Sequence, residues 1–342
     1  MHEIHIVITE TEFRKASSTF ESAPDVRLTV VSPDEERVAA AIRQNNAWAA
    51  ILGVEKYSGE LYAAIPRGGV IARFGVGHDG IDKKKATAAG IYVVNTPGVL
   101  ENAVAEHTMA LILAQSKSLP QFVLASQRLA WEPRPTFELR GRTMAIIGCG
   151  AIGRRVARAA AHGFGMTVIG HNRTRAHEDQ LREQWGFSRI TTDFADAVRE
   201  ADVVSLHVPG IPQNRHFISA DTLKCFKAQA ILINTSRGLV IDEIALFEAL
   251  QTGALGGAAL DVFEREPYVP RMPTKDLRTL PNVLLTPHVS AGTHEACARA
   301  ATTVLENIRL AHQGNLAALN LINREILPAH LCDPCRGAPS GI

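Results

Sequence analysis

Residues 143–163 read TMAIIGCGAIGRRVARAAAHG, and this stretch decides the fold. An apolar run, 143–147, is followed by Gly148-Cys149-Gly150-Ala151-Ile152-Gly153, a G-x-G-x-x-G turn. Ile152, Val156, Ala159 and Ala160 then recur at helical spacing. The motif alone is weak, but strand, glycine turn and helix in that order are the context it requires. The first glycine makes a tight turn, the second lets the backbone approach a pyrophosphate, and the third lets helix pack on strand. The free N–H groups of the helix start, Ala151 and Ile152 among them, favour the phosphates. This is a dinucleotide-binding βαβ unit.

Outward from it, the same alternation continues. Short β-branched runs at 166–170, 202–208, 230–234, 257–262 and 282–286 alternate with helical patterns at 152–162, 219–226, 242–251 and 293–312. That makes a six-stranded, doubly wound parallel sheet. Upstream, runs at 4–9, 27–31, 49–53, 70–75 and 91–95 form a second α/β unit, with helices at 34–44 and 82–89. Long helical patterns at 101–117 and 293–312 sit at the changeovers. The expected organisation is α/β with two parallel-sheet domains. A dinucleotide-binding domain (101–288) is inserted into a discontinuous domain (1–100 and 289–325), with a small-ligand cleft between them. Residues 326–342 are expected to be a disordered tail. Its Cys332 and Cys335 have no second pair to complete a zinc site.

The chain has 342 residues, and 36 basic against 35 acidic side chains leave a net charge of +1. That balance argues against nucleic-acid and membrane-surface partners. No apolar run approaches the ~20 residues of a membrane span. The opening MHEIHIVITE reads as a strand rather than a signal peptide. Five scattered cysteines suit no disulfide framework, and a cytoplasmic location is expected.

In NAD binders an acidic residue roughly 20 positions beyond the turn bonds the ribose 2′-hydroxyl. Here Asn172 stands at that point, followed by Arg173 and Thr174. A carboxylate there would repel a 2′-phosphate, whereas a guanidinium and a hydroxyl accept one. The sequence therefore favours NADP(H), with NAD(H) as the alternative.

Three later strand ends carry chemistry. Asn234-Thr235-Ser236-Arg237-Gly238 offers an arginine suited to a carboxylate. Asp261-Val262-Phe263-Glu264-Arg265-Glu266-Pro267 offers acids, and Leu285-Thr286-Pro287-His288 a histidine. An arginine that anchors a 2-keto acid, a histidine that moves a proton and an acid that holds the imidazole make a coherent set. His107 and His207 read as packing or hydrogen-bonding residues.

From about residue 50 to 312 the chain resembles the D-isomer-specific 2-hydroxyacid dehydrogenase family. The likeness is carried by Ala72-Arg73-Phe74-Gly75-Val76-Gly77-His78-Asp79, Asn95-Thr96-Pro97-Gly98, Val104-Ala105-Glu106-His107, the glycine turn, His207-Val208-Pro209 and the three strand-end segments. In character it is closest to glyoxylate/hydroxypyruvate reductases. The resemblance implies that Arg237 binds the substrate carboxylate and carbonyl and that His288 is the proton donor in reduction. It pairs Glu266, the acid before Pro267, with His288. Backbone N–H groups of Val76 and Gly77 would hold the carboxylate. Ile152, His207, Val208, Pro209, Thr235, Asp261 and Ser290 would line the cofactor, and no metal is implied. The segment Val289-Ser290-Ala291 departs from the Gly-Ser-Ala order of many members. A homodimer acting on a small 2-keto or D-2-hydroxy acid is expected. The alternatives are a D-3-phosphoglycerate dehydrogenase-type NAD enzyme and a dinucleotide-sensing transcriptional corepressor.

Overall fold

A computed structural model describes residues 3–175 and 177–327. The expectations for the tail from 328 on, with Cys332 and Cys335, lie outside the described residues. One compact unit comprises the described residues up to Leu100 and from Gly292 onward, and the other is Glu101–Ala291.

The first unit is built on five parallel strands: β1 (Ile4–Thr9), β2 (Val26–Val31), β3 (Ala49–Leu52), β4 (Val70–Arg73) and β5 (Tyr92–Val94). Their order is β2-β1-β3-β4-β5, with every pairing parallel. That is a flavodoxin-like order. β3 and β4 are buried at every position, as expected of strands covered by helices on both faces. The returning C-terminal chain belongs to this unit through specific bonds. Asn323 Oδ1 accepts the Val93 N–H at 2.8 Å, and its Nδ2 donates to Ile91 O at 2.9 Å. Arg309 on helix His294–His312 grips Asp25 with two bonds of 2.6 Å. Thr293 caps that helix through the Ala296 N–H.

The second unit holds seven strands, not the expected six. They are β6 (Thr143–Ile147), β7 (Thr167–His171), β8 (Phe187–Thr191), β9 (Val203–Leu206), β10 (Ile231–Asn234), β11 (Gly257–Leu260) and β12 (Val283–Leu285). The unexpected strand is β8, FSRIT, where Ser188 and Arg189 interrupt the apolar run. It lies at the sheet edge, where only one neighbour is needed. Its polar residues are used: Ser188 Oγ donates to Val168 O at 2.7 Å, and Arg189 pairs with Asp196.

The order is β12-β11-β10-β9-β6-β7-β8, all parallel. Alternation sorts the strands into two cores. Met144, Ile146, Val168, Val203, Ile231 and Ile233 face one layer, whereas Ala145, Ile147, Ile169, Val204, Leu206 and Leu232 face the other. Strand order reverses between β9 and β6, which makes their carboxyl ends the topological switch point. The glycine turn follows β6 there.

Candidate active site

The glycine turn is sterically fixed. Gly148 has φ +99°, and a Cβ on it would lie 2.5 Å from His207 O. A Cβ on Gly153 would lie 2.1 Å from Gly148 O. Gly150 is the N-cap of helix Ala151–Arg158, and no side chain caps the free N–H groups of that first turn. This donor set suits a pyrophosphate.

At the end of β7, Asn172 is tied into the turn. Its Oδ1 accepts the Cys149 N–H at 2.9 Å, and its own N–H donates to Thr191 O at 3.2 Å. Arg173 and Thr174 follow as exposed residues. His171, just before them, packs edge-on against Phe194, and burial pushes its imidazole down. At the end of β9, desolvation pushes His207 down to about 3, and Ser205 Oγ lies 2.9 Å from its Nε2. The contact with Ser205 makes this imidazole a hydrogen-bonding group. Val208 and Pro209 continue this loop, which Asn214 closes by donating to Pro209 O at 2.9 Å.

β10 ends on Asn234, which organises the arginine turn. Its Oδ1 accepts from Ser236 N at 3.0 Å, and its Nδ2 donates to Arg237 O at 3.0 Å. Arg237 Nη1 donates to Ser236 O at 2.7 Å, and its stem packs on Gly210, where a Cβ would lie 2.7 Å from Arg237 Cγ. Thr235 is 6% exposed, and its hydroxyl lies 2.9 Å from Thr108 Oγ1, which itself donates to Val104 O at 2.7 Å.

Asp261, at the end of β11, is fully buried. Its Oδ1 accepts from Thr286 Oγ1 at 2.6 Å and from Val289 N at 2.9 Å, and its Oδ2 accepts from Ser290 N at 2.9 Å. His107 Nε2 stands 3.2 Å from Thr286 Oγ1 and 3.6 Å from Asp261 Oδ1. One carboxylate thereby shapes the whole loop after β12. It also keeps Val289–Ala291 with this unit, so the chain crosses after Ala291 and not after 288 as expected.

Within that loop His288 adopts φ +52°, and its N–H donates to Asp261 O at 2.8 Å. A left-handed conformation in a histidine is uncommon and is sustained here by those bonds. The imidazole Nδ1 lies 2.7 Å from Glu266 Oε2, both side chains being 29% exposed. Glu266 Oε1 accepts the Phe263 N–H at 3.0 Å. A carboxylate on Nδ1 fixes the orientation of the ring and leaves Nε2 as its second hydrogen-bonding atom. Glu264 takes different partners, with His216 Nε2 at 3.1 Å.

In the first unit, Val76 and Gly77 lie on a loop pinned by its neighbours. Asn95 Nδ2 donates to Val76 O at 2.8 Å, and Thr96 N to Gly75 O at 3.1 Å. The surrounding hydrogen bonds that sequence reasoning missed are those of Glu243, Glu264 and His216. Only the residue order Asp242-Glu243 just after the arginine turn hinted at them.

The arrangement therefore offers a phosphate cradle at β6, a rim of polar residues at β7 and an arginine at β10. A histidine–glutamate pair in hydrogen-bond contact follows at β11 and β12. A family model described as D-isomer specific 2-hydroxyacid dehydrogenase, NAD binding domain, matches residues 109–290. The glyoxylate reductase of Thermococcus litoralis is 40% identical over 285 residues, 81% of this chain and 83% of that protein. The NADPH-dependent glyoxylate/hydroxypyruvate reductase of Sinorhizobium meliloti, solved with NADP and malonate, superposes with a TM-score of 0.76. It is 31% identical and covers 90% of this chain and 93% of its own. The D-lactate dehydrogenase of Aquifex aeolicus, solved with NAD and lactic acid, gives 0.80 at 26% identity, over 95% of this chain and 100% of its own. No helix among the described residues is long and apolar enough to cross a membrane. The chain belongs to the D-isomer specific 2-hydroxyacid dehydrogenase family and is an NAD(P)-dependent oxidoreductase.

Proposed function

We propose that the protein is an NADPH-linked reductase of small 2-keto acids, with glyoxylate and hydroxypyruvate as its substrates. The observation that carries the cofactor choice is the β7 end. Asn172 occupies the position where a carboxylate is expected and is turned inward onto the Cys149 N–H, and Arg173 and Thr174 are exposed. A guanidinium and a hydroxyl in that position suit a 2′-phosphate. The substrate choice follows the likeness to glyoxylate reductases.

Gly148, Gly150, Ala151, Ile152 and Gly153 would hold the pyrophosphate. Val208, Pro209, Thr235, Asp261 and Ser290 would line the remainder of the dinucleotide. The bound nicotinamide supplies the hydride. Arg237 binds the substrate carboxylate and draws charge onto the carbonyl oxygen. His288 gives that oxygen a proton from Nε2, and Glu266 steadies the imidazolium as it forms and discharges. The backbone N–H groups of Val76 and Gly77 hold the carboxylate. Neither amide donates to another described residue. A panel of 2-keto acids assayed with NADPH and with NADH tests this reading.

A homodimer is part of the same proposal. Helix Leu119–Gln127 buries none of its residues, although it carries Leu119, Val123 and Leu124. Leu129 and Trp131, just beyond, are 96% and 91% exposed. An apolar surface of this extent suits a second copy of the chain. Trp131→Glu with Leu124→Glu should give a monomer by light scattering, whereas an unchanged mass would discard this surface as the interface.

A further inference from the structure

The segment that carries Glu266 is gripped from behind by residues outside the catalytic set. Glu243 opens helix Glu243–Gln251 and is 5% exposed. Its Oε1 accepts the Glu264 N–H at 2.7 Å. In return, Glu264 Oε1 accepts the Glu243 N–H at 3.4 Å. The Glu264 carboxylate, 3% exposed, also meets His216 Nε2 at 3.1 Å, Arg271 Nη1 at 3.6 Å and Arg215 Nη2 at 3.7 Å. His216 donates its own N–H to Leu239 O at 2.9 Å, within the turn that follows Arg237. Gly238, beside Arg237, lies so close that a Cβ would stand 1.8 Å from the Phe263 carbonyl carbon. The arginine turn and the segment 263–266 are thus joined at three points: Gly238, Glu243 and His216.

We propose that Glu243 and Glu264 are positioning residues, a reciprocal carboxylate–amide clasp that fixes Glu266, and through it His288, relative to Arg237. The inference rests on the roles proposed for those three residues.

The chemistry of the clasp is unfavourable for mere packing. Burial pushes Glu243 up to about 7 against the pull of the Glu264 N–H, and the nearby Glu264 charge adds to the rise, while Arg271 and Arg265 oppose it. Glu243 Oε2 is buried with no hydrogen-bond partner among the described residues. Burying a carboxylate in this way costs stability, and an apolar side chain would fill the same space at less cost. What only an acceptor at this point achieves is to hold the Glu264 N–H, two residues from Glu266.

Glu243→Ala removes that acceptor and is compared with the wild type in saturating cofactor. We expect kcat per active site to fall roughly 10- to 100-fold, the scale of an ångström-sized misplacement, with KM and cofactor Kd changed by less than about threefold. Glu243→Gln keeps the acceptor and should restore kcat to within about threefold of wild type. Normal kcat in Glu243→Ala, or failure of Glu243→Gln to restore it, overturns the clasp. Should Glu243→Ala not fold, His216→Gln loosens the Glu264 end from the surface and should lower kcat about threefold at unchanged KM. An unchanged kcat there overturns the proposal equally. Glu266→Gln and His288→Ala are measured alongside. If those two leave turnover intact, the catalytic roles have failed and not the clasp alone.

Discussion

The two ends of the row of strand termini in the second unit differ in how tightly they are held. At β11 and β12, Asp261 alone takes three hydrogen bonds from the loop that carries His288. The imidazole is then held at Nδ1 by Glu266. At β7, Asn172 is anchored, and Arg173 and Thr174 stand exposed beyond it. On the proposed roles the contrast has a physical cause. Proton transfer would need a donor placed within a fraction of an ångström, which over-determined supports supply. Recognition of a 2′-phosphate would need charge and a few donors, and a guanidinium at an exposed rim would suffice. The first end should therefore be intolerant of substitution, and the second should be adjustable.

The largest effect expected is at the rigid end. His288→Ala should lower kcat by about 10²- to 10⁴-fold, the range for losing a general acid, while NADPH still binds by fluorescence titration. A variant that keeps near-normal turnover removes the histidine from the mechanism. Arg237→Ala should lose both affinity and rate, roughly 10²- to 10³-fold in kcat/KM, since it removes one charged donor from the reacting oxygen. A change confined to KM would reduce Arg237 to a binding residue.

At the adjustable end, Arg173→Ala should cut the preference for NADPH over NADH about tenfold while leaving kcat with saturating NADPH near wild type. A drop in kcat as large as that of His288→Ala would erase the distinction between the ends.

The smallest effect concerns stability and pH. Glu243 has its carboxyl raised in the folded protein from the ordinary 4.5 to about 7. The folded state therefore holds a proton that the unfolded state gives up between those values, and this contribution to stability is lost as pH rises towards and past 7. Glu243→Gln carries no charge to bury. Its Tm relative to wild type should be a few degrees higher at pH 8 than at pH 5. An equal Tm difference at both pH values would show that Glu243 is not held neutral by burial.

Much of this contrast was legible in the residues before any coordinates. The glycine turn declared itself because strand, turn and helix are local patterns. Arg237 and His288 stood out because each follows an apolar run that ends in a polar group, whereas Glu266 was separated from Glu264 only by the family resemblance, through its place before Pro267. β8 was missed because Ser188 and Arg189 break the alternation that marks a strand, and their partners, Val168 O and Asp196, are supplied by packing and the next helix. Glu243 was missed for another reason. Asp242 caps its helix through the Ile244 and Ala245 N–H groups, and an acid in the next position looks like ordinary first-turn chemistry. Only the close approach of Gly238 to Phe263 turns that acid towards Glu264, and such a contact between distant segments leaves no local signature.

The measurement closest to the central claim is steady-state reduction of glyoxylate and hydroxypyruvate, with NADPH and NADH compared in the same assay. Both keto acids should turn over, with a kcat/KM for NADPH at least about tenfold above that for NADH. A clear preference for NADH, or turnover confined to other 2-keto acids, would contradict it.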